Sequence, residues 1–321
     1  MNNDTTLIRI ENVKKHFPGR EKKRIVRAVD GVSLTVGKGE TLGLVGESGC
    51  GKSTLGRTIL RLTNPTDGQV WYKGQNLFDK SEKEMRDLRK GLQMVFQNPY
   101  SSLNPRMTVL ESVRSALDIF KIGTKEERYE KCRDILKYVG LEEHQIFRYP
   151  HEFSGGQRQR IVIARAIISN PDFVVCDEPV SALDLSVRAQ VLNLMQDIQK
   201  DKGIAYLFIS HDLSVVKHVS HRIAVMYLGK IVETAGCDEL YSRPLHPYTQ
   251  ALLSAIPIPD ADAHKERIIL QGSLPSPANV PAGCRFNTRC PYAEDRCRTE
   301  EPQLRYESEG HGVACHLCQG G

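Results

Sequence analysis

The chain has 321 residues, 40% of them hydrophobic, and 44 basic against 39 acidic side chains give a formal net charge of +5. That length suits one large domain or a domain with an appendage, and so even a charge balance argues against a protein that coats nucleic acid. The start MNNDTTLIRI lacks the basic region and apolar block of a secretory leader, and there is no run of about 18 apolar residues to span a bilayer, so a cytoplasmic protein is expected.

In chain order, the basic run Arg20 to Arg24 (REKKR) reads as a solvated loop. ETLGLVG (40 to 46) predicts a buried strand and KSTLGRTIL (52 to 60) a helix, the alternation of a parallel α/β sheet. Further strands are predicted at GLQMVFQ (91 to 97), DFVVCDE (172 to 178) and IAYLFIS (204 to 210). Between about 101 and 164 the pattern turns helical, as in TVLESVRSALDIF, and reads as a helical insertion into the α/β domain. From about 241 prolines accumulate, predicting an extended connector that leads into a cysteine-bearing segment. The simplest division is a nucleotide-type domain over 1–240, its helical subdomain at about 101–164, and an extension over 241–321.

GESGCGKS (46 to 53) sits between a predicted strand and a predicted helix, the context in which G-x-x-x-x-G-K-[ST] forms a phosphate cradle. Gly46, Gly49 and Gly51 would keep a concave row of backbone N–H groups open, with Glu47, Ser48 and Cys50 as the intervening loop positions. Lys52 would reach the β- and γ-phosphates, Ser53 would offer its hydroxyl to Mg²⁺, and Thr54 continues the cradle into the helix. The strand ending in Asp177 and Glu178 supplies one carboxylate to hold Mg²⁺ and a second to orient or deprotonate an attacking water. His211, at the end of IAYLFIS, stands where an imidazole could meet the γ-phosphate. Gln97, closing MVFQ, places a neutral amide where it could touch Mg²⁺ or that water.

FSGGQRQRIVIARAI (153 to 167), a serine and two glycines opening an amphipathic helix, resembles the signature of ABC-type ATPases. With the phosphate loop, Gln97, Asp177, Glu178, SALD (181 to 184) and His211 in the family's order, the resemblance covers roughly residues 7 to 256. It implies a P-loop NTPase fold that binds and hydrolyses ATP with Mg²⁺ held by Ser53, Gln97 and Asp177. It also implies that Ser154, Gly155, Gly156 and Gln157 address ATP held by a second subunit, with Asp184 at the dimer interface and Phe17 stacking on adenine.

RPLHPYTQALLSAIP (243 to 257), GCRFNTRCPYAEDRC (283 to 297) and HGVAC (311 to 315) resemble the C-terminal region of bacterial oligopeptide and dipeptide importer ATPases, and DEPVSALDLSVRAQVLNLM the second ATPase of such pairs. That implies a subunit on the cytoplasmic face of the inner membrane. Its partners would be a second ABC ATPase in a heterodimer, two permease subunits and, indirectly, an external peptide-binding protein, with no nucleic acid. A soluble ABC ATPase acting on nucleic acid and an ATP-binding regulatory subunit without turnover are the alternatives.

In a reducing compartment clustered cysteines read first as metal ligands, while Cys132, Cys176 and Cys237 fit as small core residues. Cys284, Cys290, Cys297 and Cys315 are separated by five, six and seventeen residues, which is neither the zinc-ribbon nor the ferredoxin spacing. The family resemblance implies a [4Fe–4S] cluster there. Zinc, which suits four thiolates equally well, and four free thiols remain open, and His316 or Cys318 could replace Cys315. A tail of about 40 residues with few apolar side chains cannot bury enough core to fold alone, so a metal could hold its loops together.

Overall fold

The computed structural model describes residues 6–19, 25–256 and 267–318. The basic run 20–24 and the start of the proline-rich stretch after Ile256 lie outside the described residues. The strands and helices, in order, begin with β1 (Thr6–Pro18), β2 (Ile25–Gly37), β3 (Thr41–Val45), α1 (Lys52–Ile59), β4 (Asp67–Tyr72), β5 (Gln75–Asn76) and α2 (Glu82–Leu88). There follow β6 (Leu92–Val95), α3 (Pro99–Ser102), α4 (Val109–Phe120), α5 (Lys125–Tyr138), α6 (Gly155–Ile167), β7 (Phe173–Asp177), α7 (Leu185–Lys202) and β8 (Ala205–Ile209). The remainder comprises α8 (Leu213–Val219), β9 (Arg222–Tyr227), β10 (Lys230–Gly236), α9 (Cys237–Ser242), α10 (Pro247–Ser254), α11 (Asp295–Thr299), β11 (Arg305–Ser308) and β12 (His311–Val313). The chain forms two compact units.

The first unit is built from Val36–Glu40 and Asp79–Leu207, with the described residues up to Leu7. Its parallel pair β6 and β7 aligns Leu92 with Phe173 and Val95 with Cys176. β7 is buried along its whole length, which is why it reads as a continuous apolar run rather than an alternating one. Between these strands the chain is helical: α4 packs on α5 and α6, and α6 on β6 and α7. Each of these helices starts where its sequence provides a cap. Thr108 and Glu111 close a capping box on α4, Thr124 and Glu127 one on α5, and Ser154 and Gln157 one on α6.

The second unit takes the described residues of Ile8–Thr35, Thr41–Phe78 and those from Phe208 onward. β1 pairs antiparallel with β4, Ile8 opposite Tyr72 and Ile10 opposite Val70, in a sheet ordered β2-β1-β4-β5. Its other sheet sets β3 parallel to β9, pairing Leu42 with Arg222 and Val45 with Val225. From β9 that sheet continues antiparallel through β10 and β12 to β11. The alternating burial of the second half of β2 was legible in VSLTV, but no expectation was drawn from it.

Two expectations are corrected here. The segment after 241 is not simply an extended connector: Pro247 occupies the first turn of α10, where a missing N–H costs nothing, and the His246 side chain accepts the Tyr248 N–H as its cap. Nor is the tail left to fold alone, because it borrows a core from the rest of its unit. β12 adds to the edge of β10, pairing Glu233 with Val313, and Phe286 buries its ring against Tyr227 and Tyr248. Arg285 reaches both Asp30 and the Leu228 carbonyl. His311 Nε2 lies 2.8 Å from Glu233 Oε1, both side chains being fully enclosed.

Candidate active site

The cradle lies in the second unit, where β3 turns into α1. Gly51 has φ +111° and a Cβ there would stand 2.0 Å from the Ala28 carbonyl oxygen, so only glycine fits. Gly46 is as tightly placed, its virtual Cβ 2.2 Å from the Met226 carbonyl oxygen. Lys52, 4% exposed, donates from Nζ to the carbonyls of Gly46 at 2.7 Å and Glu47 at 3.0 Å. Its ammonium is thereby folded back into the loop. Ser48 and Gly49 face outward, Ser53 and Thr54 are half-buried on the first turn of α1, and Cys50 is enclosed. Burial pushes the Cys50 thiol above its ordinary value, which leaves it inert at neutral pH. His211 is exposed just after β8, and Asp212 beside it caps α8. Phe17 is exposed on β1 with Lys15 Nζ 4.7 Å from its ring centre, so its outer face is already shared with a cation.

The carboxylates lie in the first unit. Asp177 is fully buried at the end of β7, and Glu178 follows at φ +47°, a left-handed conformation that a non-glycine residue adopts only when its surroundings impose it. Gln97 Nε2 donates to Glu178 Oε2 at 2.8 Å, so the structure joins Gln97 to the carboxylate that sequence reasoning placed beside the water. Ser154 caps α6, accepting the Gln157 N–H at 3.3 Å while Gln157 Oε1 accepts the Ser154 N–H at 3.0 Å. A Cβ on Gly156 would stand 2.2 Å from Val187 Cγ1, so that glycine lets α6 and α7 close. Asp184 caps α7 with its carbonyl accepting the Arg188 N–H at 2.8 Å, and Leu185 next to it is 80% exposed.

Sequence reasoning missed the outer supports of the cradle. Tyr248 Oη accepts the Glu47 N–H, and the Arg289 guanidinium meets the Glu47 carboxylate. No sequence signal could have found them, because 201 and 242 residues separate the partners.

Cys284, Cys290, Cys297 and Cys315 are near enough for their charges to interact. Burial, with smaller contributions from charge on Cys297, Cys315 and Cys290, pushes the Cys284 thiol up to about 11. The Cys315 thiol is drawn below its ordinary value by a hydrogen bond with Cys318. Among the described residues, however, no group of three or more His, Cys, Asp or Glu side chains is arranged to hold a metal ion. The expected four-thiolate set for a [4Fe–4S] cluster or zinc is therefore not assembled. The thiols are held by the tail's own turns, as where the Cys284 N–H donates to the Cys297 carbonyl at 2.8 Å. Cys132, Cys176 and Cys237 are buried core residues, as expected.

Residues 29–181 match the family model described as ABC transporter, and residues 232–297 the one described as oligopeptide/dipeptide transporter, C-terminal region. The chain is 53% identical over 323 residues to the oligopeptide transport ATP-binding protein AppF of Bacillus subtilis (strain 168), covering 98% of each chain. It is 55% identical over 314 residues to YkfD of the same organism, covering 97% of this chain and 95% of that one. Among solved structures, a dimeric post-hydrolysis state of the ATP-binding cassette MJ0796 bound to ADP and Pi aligns with TM-score 0.66 at 30% identity, over 72% of this chain and 99% of that one. With a phosphate loop, a buried aspartate before a strained glutamate and a capped signature helix in place, this chain belongs to the ABC transporter ATPases, in the group of oligopeptide transport ATP-binding proteins.

Proposed function

We propose that this chain hydrolyses ATP to power the import of dipeptides or oligopeptides through a membrane ABC transporter. Similarity to AppF along nearly the whole chain supports the peptide assignment. The observation that carries hydrolysis is the Gln97–Glu178 hydrogen bond at the end of a buried strand. Oriented by that amide, the Glu178 carboxylate accepts a proton from water attacking the γ-phosphate. Lys52, already aimed into the loop, holds the β- and γ-phosphates, and the backbone from Gly46 to Thr54 cradles them. His211 meets the γ-phosphate and Phe17 lies against adenine.

Ser53, Gln97 and Asp177 provide oxygen donors of the kind Mg²⁺ takes, and that ion neutralises phosphate charge when bound. Ser154, Gly155, Gly156 and Gln157 serve ATP on a second ABC ATPase, so the working unit is a heterodimer whose closure drives transport. Exposed Leu185 beside Asp184 is the apolar contact such an interface would cover. Among the described residues no helix is long and apolar enough to cross a membrane. In this reading two permease subunits hold the protein at the cytoplasmic face of the inner membrane and take up its motion, while an external binding protein supplies the peptide. Exposed Phe96 precedes, and exposed Tyr100 lies within, the stretch from Gln97 to Pro105 that grips them.

Glu178→Gln tests the assignment. In the assembled transporter it is expected to keep ATP binding while lowering turnover by about 10²-fold or more and stopping peptide uptake with it. Uptake that persists without hydrolysis would refute it.

A further inference from the structure

Glu47 of the nucleotide loop is held at its N–H, its carbonyl and its carboxylate, and two of these three holds come from the C-terminal part of the chain. Its N–H donates to Tyr248 Oη at 2.8 Å, and its carbonyl accepts from Lys52 Nζ at 3.0 Å. Its two carboxylate oxygens lie 3.0 and 2.9 Å from Arg289 Nη1. The Arg289 side chain is 8% exposed and that of Glu47 26%, so solvent screens this pair less than an ordinary surface pair.

The gripping residues are themselves fixed. Tyr248 is enclosed, with ring centres 4.7 Å from Tyr227 and 5.4 Å from Phe286. The Arg289 N–H donates to the Phe286 carbonyl at 3.0 Å, so the guanidinium projects from a turn whose anchor lies in the same aromatic cluster. By contrast, Ser48 and Gly49 are exposed, and nothing stands within 4 Å of a Cβ built on Gly49. Without an external hold this half of the loop would have to be ordered by the phosphate itself, at a cost in affinity.

We propose that Arg289 is a positioning residue of the nucleotide site: acting through Glu47, it sets the loop conformation before phosphate arrives, so that the cysteine-bearing tail tunes nucleotide affinity. The inference rests on residues 46–53 being the ATP cradle. By reciprocity, nucleotide binding then stabilises the turn around Arg289.

The test is titration of the full-length protein with a fluorescent ATP analogue, alongside steady-state ATPase of the assembled transporter. Arg289→Ala and Glu47→Gln are each expected to weaken binding by about fivefold, with the double variant no weaker than the worse single one. Arg289→Lys, which keeps the charge, is expected to recover most of the affinity. A loop held in its ground-state form predicts a raised KM for ATP with kcat little changed. Hydrogen exchange of residues 284–290 should slow when nucleotide binds wild type and not when it binds Glu47→Gln, which a merely structural arginine would not produce. Should Arg289→Ala fail to fold, Glu47→Gln and the exchange measurement carry the test alone. Wild-type affinity in Arg289→Ala and Glu47→Gln, or additive losses in the double variant, would overturn the proposal while Lys52→Ala still abolishes binding. If Lys52→Ala binds normally, the cradle reading fails first and the proposal with it.

Discussion

Glu178 pays a backbone cost of roughly 1–3 kcal/mol for its left-handed conformation, and the Ser181 N–H on its carbonyl and Gln97 on its carboxylate are what hold it there. A second residue under constraint is His246. Complete burial drives its imidazole down to about 3, and Nδ1 accepts the Tyr248 N–H, so the ring is neutral in the folded protein. The unfolded chain would bind a proton at the ordinary value of 6.5, so below that pH unfolding takes up a proton that the native state refuses. Stability is therefore fully present above pH 6.5 and is lost as the pH falls from there toward 3, by on the order of a few kcal/mol. Melting curves between pH 7 and 4 should show this loss, and His246→Asn, which retains a capping side chain, should flatten it.

At the scale of elements, capping chemistry and borrowed core explain different parts of the chain. Capping boxes and an N1 proline set the starts of α4, α5, α6 and α10 locally, so these boundaries are written in the sequence near them. β12 has only three residues and survives because β10 offers it a hydrogen-bonding edge. Phe286, 1% exposed, is the apolar anchor of that arrangement. Phe286→Ala is expected to cost about 3–5 kcal/mol, seen as a lowered midpoint in chemical denaturation. Because the same ring packs on Tyr248, that variant should also loosen the loop at Glu47, whereas removing the Thr108 cap from α4 should cost only about 1 kcal/mol.

For the whole molecule, the tail raises the question of what holds a cysteine-rich appendage together. Strand addition, a buried aromatic and enclosed ion pairs secure it within its unit. Chelator treatment of the purified protein is accordingly expected to leave its melting temperature unchanged. Anaerobic assay of iron, zinc and sulfide should find no stoichiometric metal that disappears in a variant lacking Cys284, Cys290 and Cys297. Iron with matching sulfide, lost in that variant, would instead restore the cluster implied by the family resemblance.

The sequence by itself determined the parallel strands, the phosphate loop, the two carboxylates and the signature helix, because each depends on a local pattern. A continuous apolar run suffices for β3, β7 and β8, glycine spacing for the cradle, and a serine three residues before a glutamine for the start of α6. Only the tertiary structure decided that Gln97 binds Glu178, that the tail closes on β10 and that Arg289 and Tyr248 grip Glu47. Gln97 and Glu178 lie 81 residues apart and Arg289 and Glu47 242, and the pairing of distant polar groups depends on which surfaces burial brings together, a property of the folded chain that no local pattern carries.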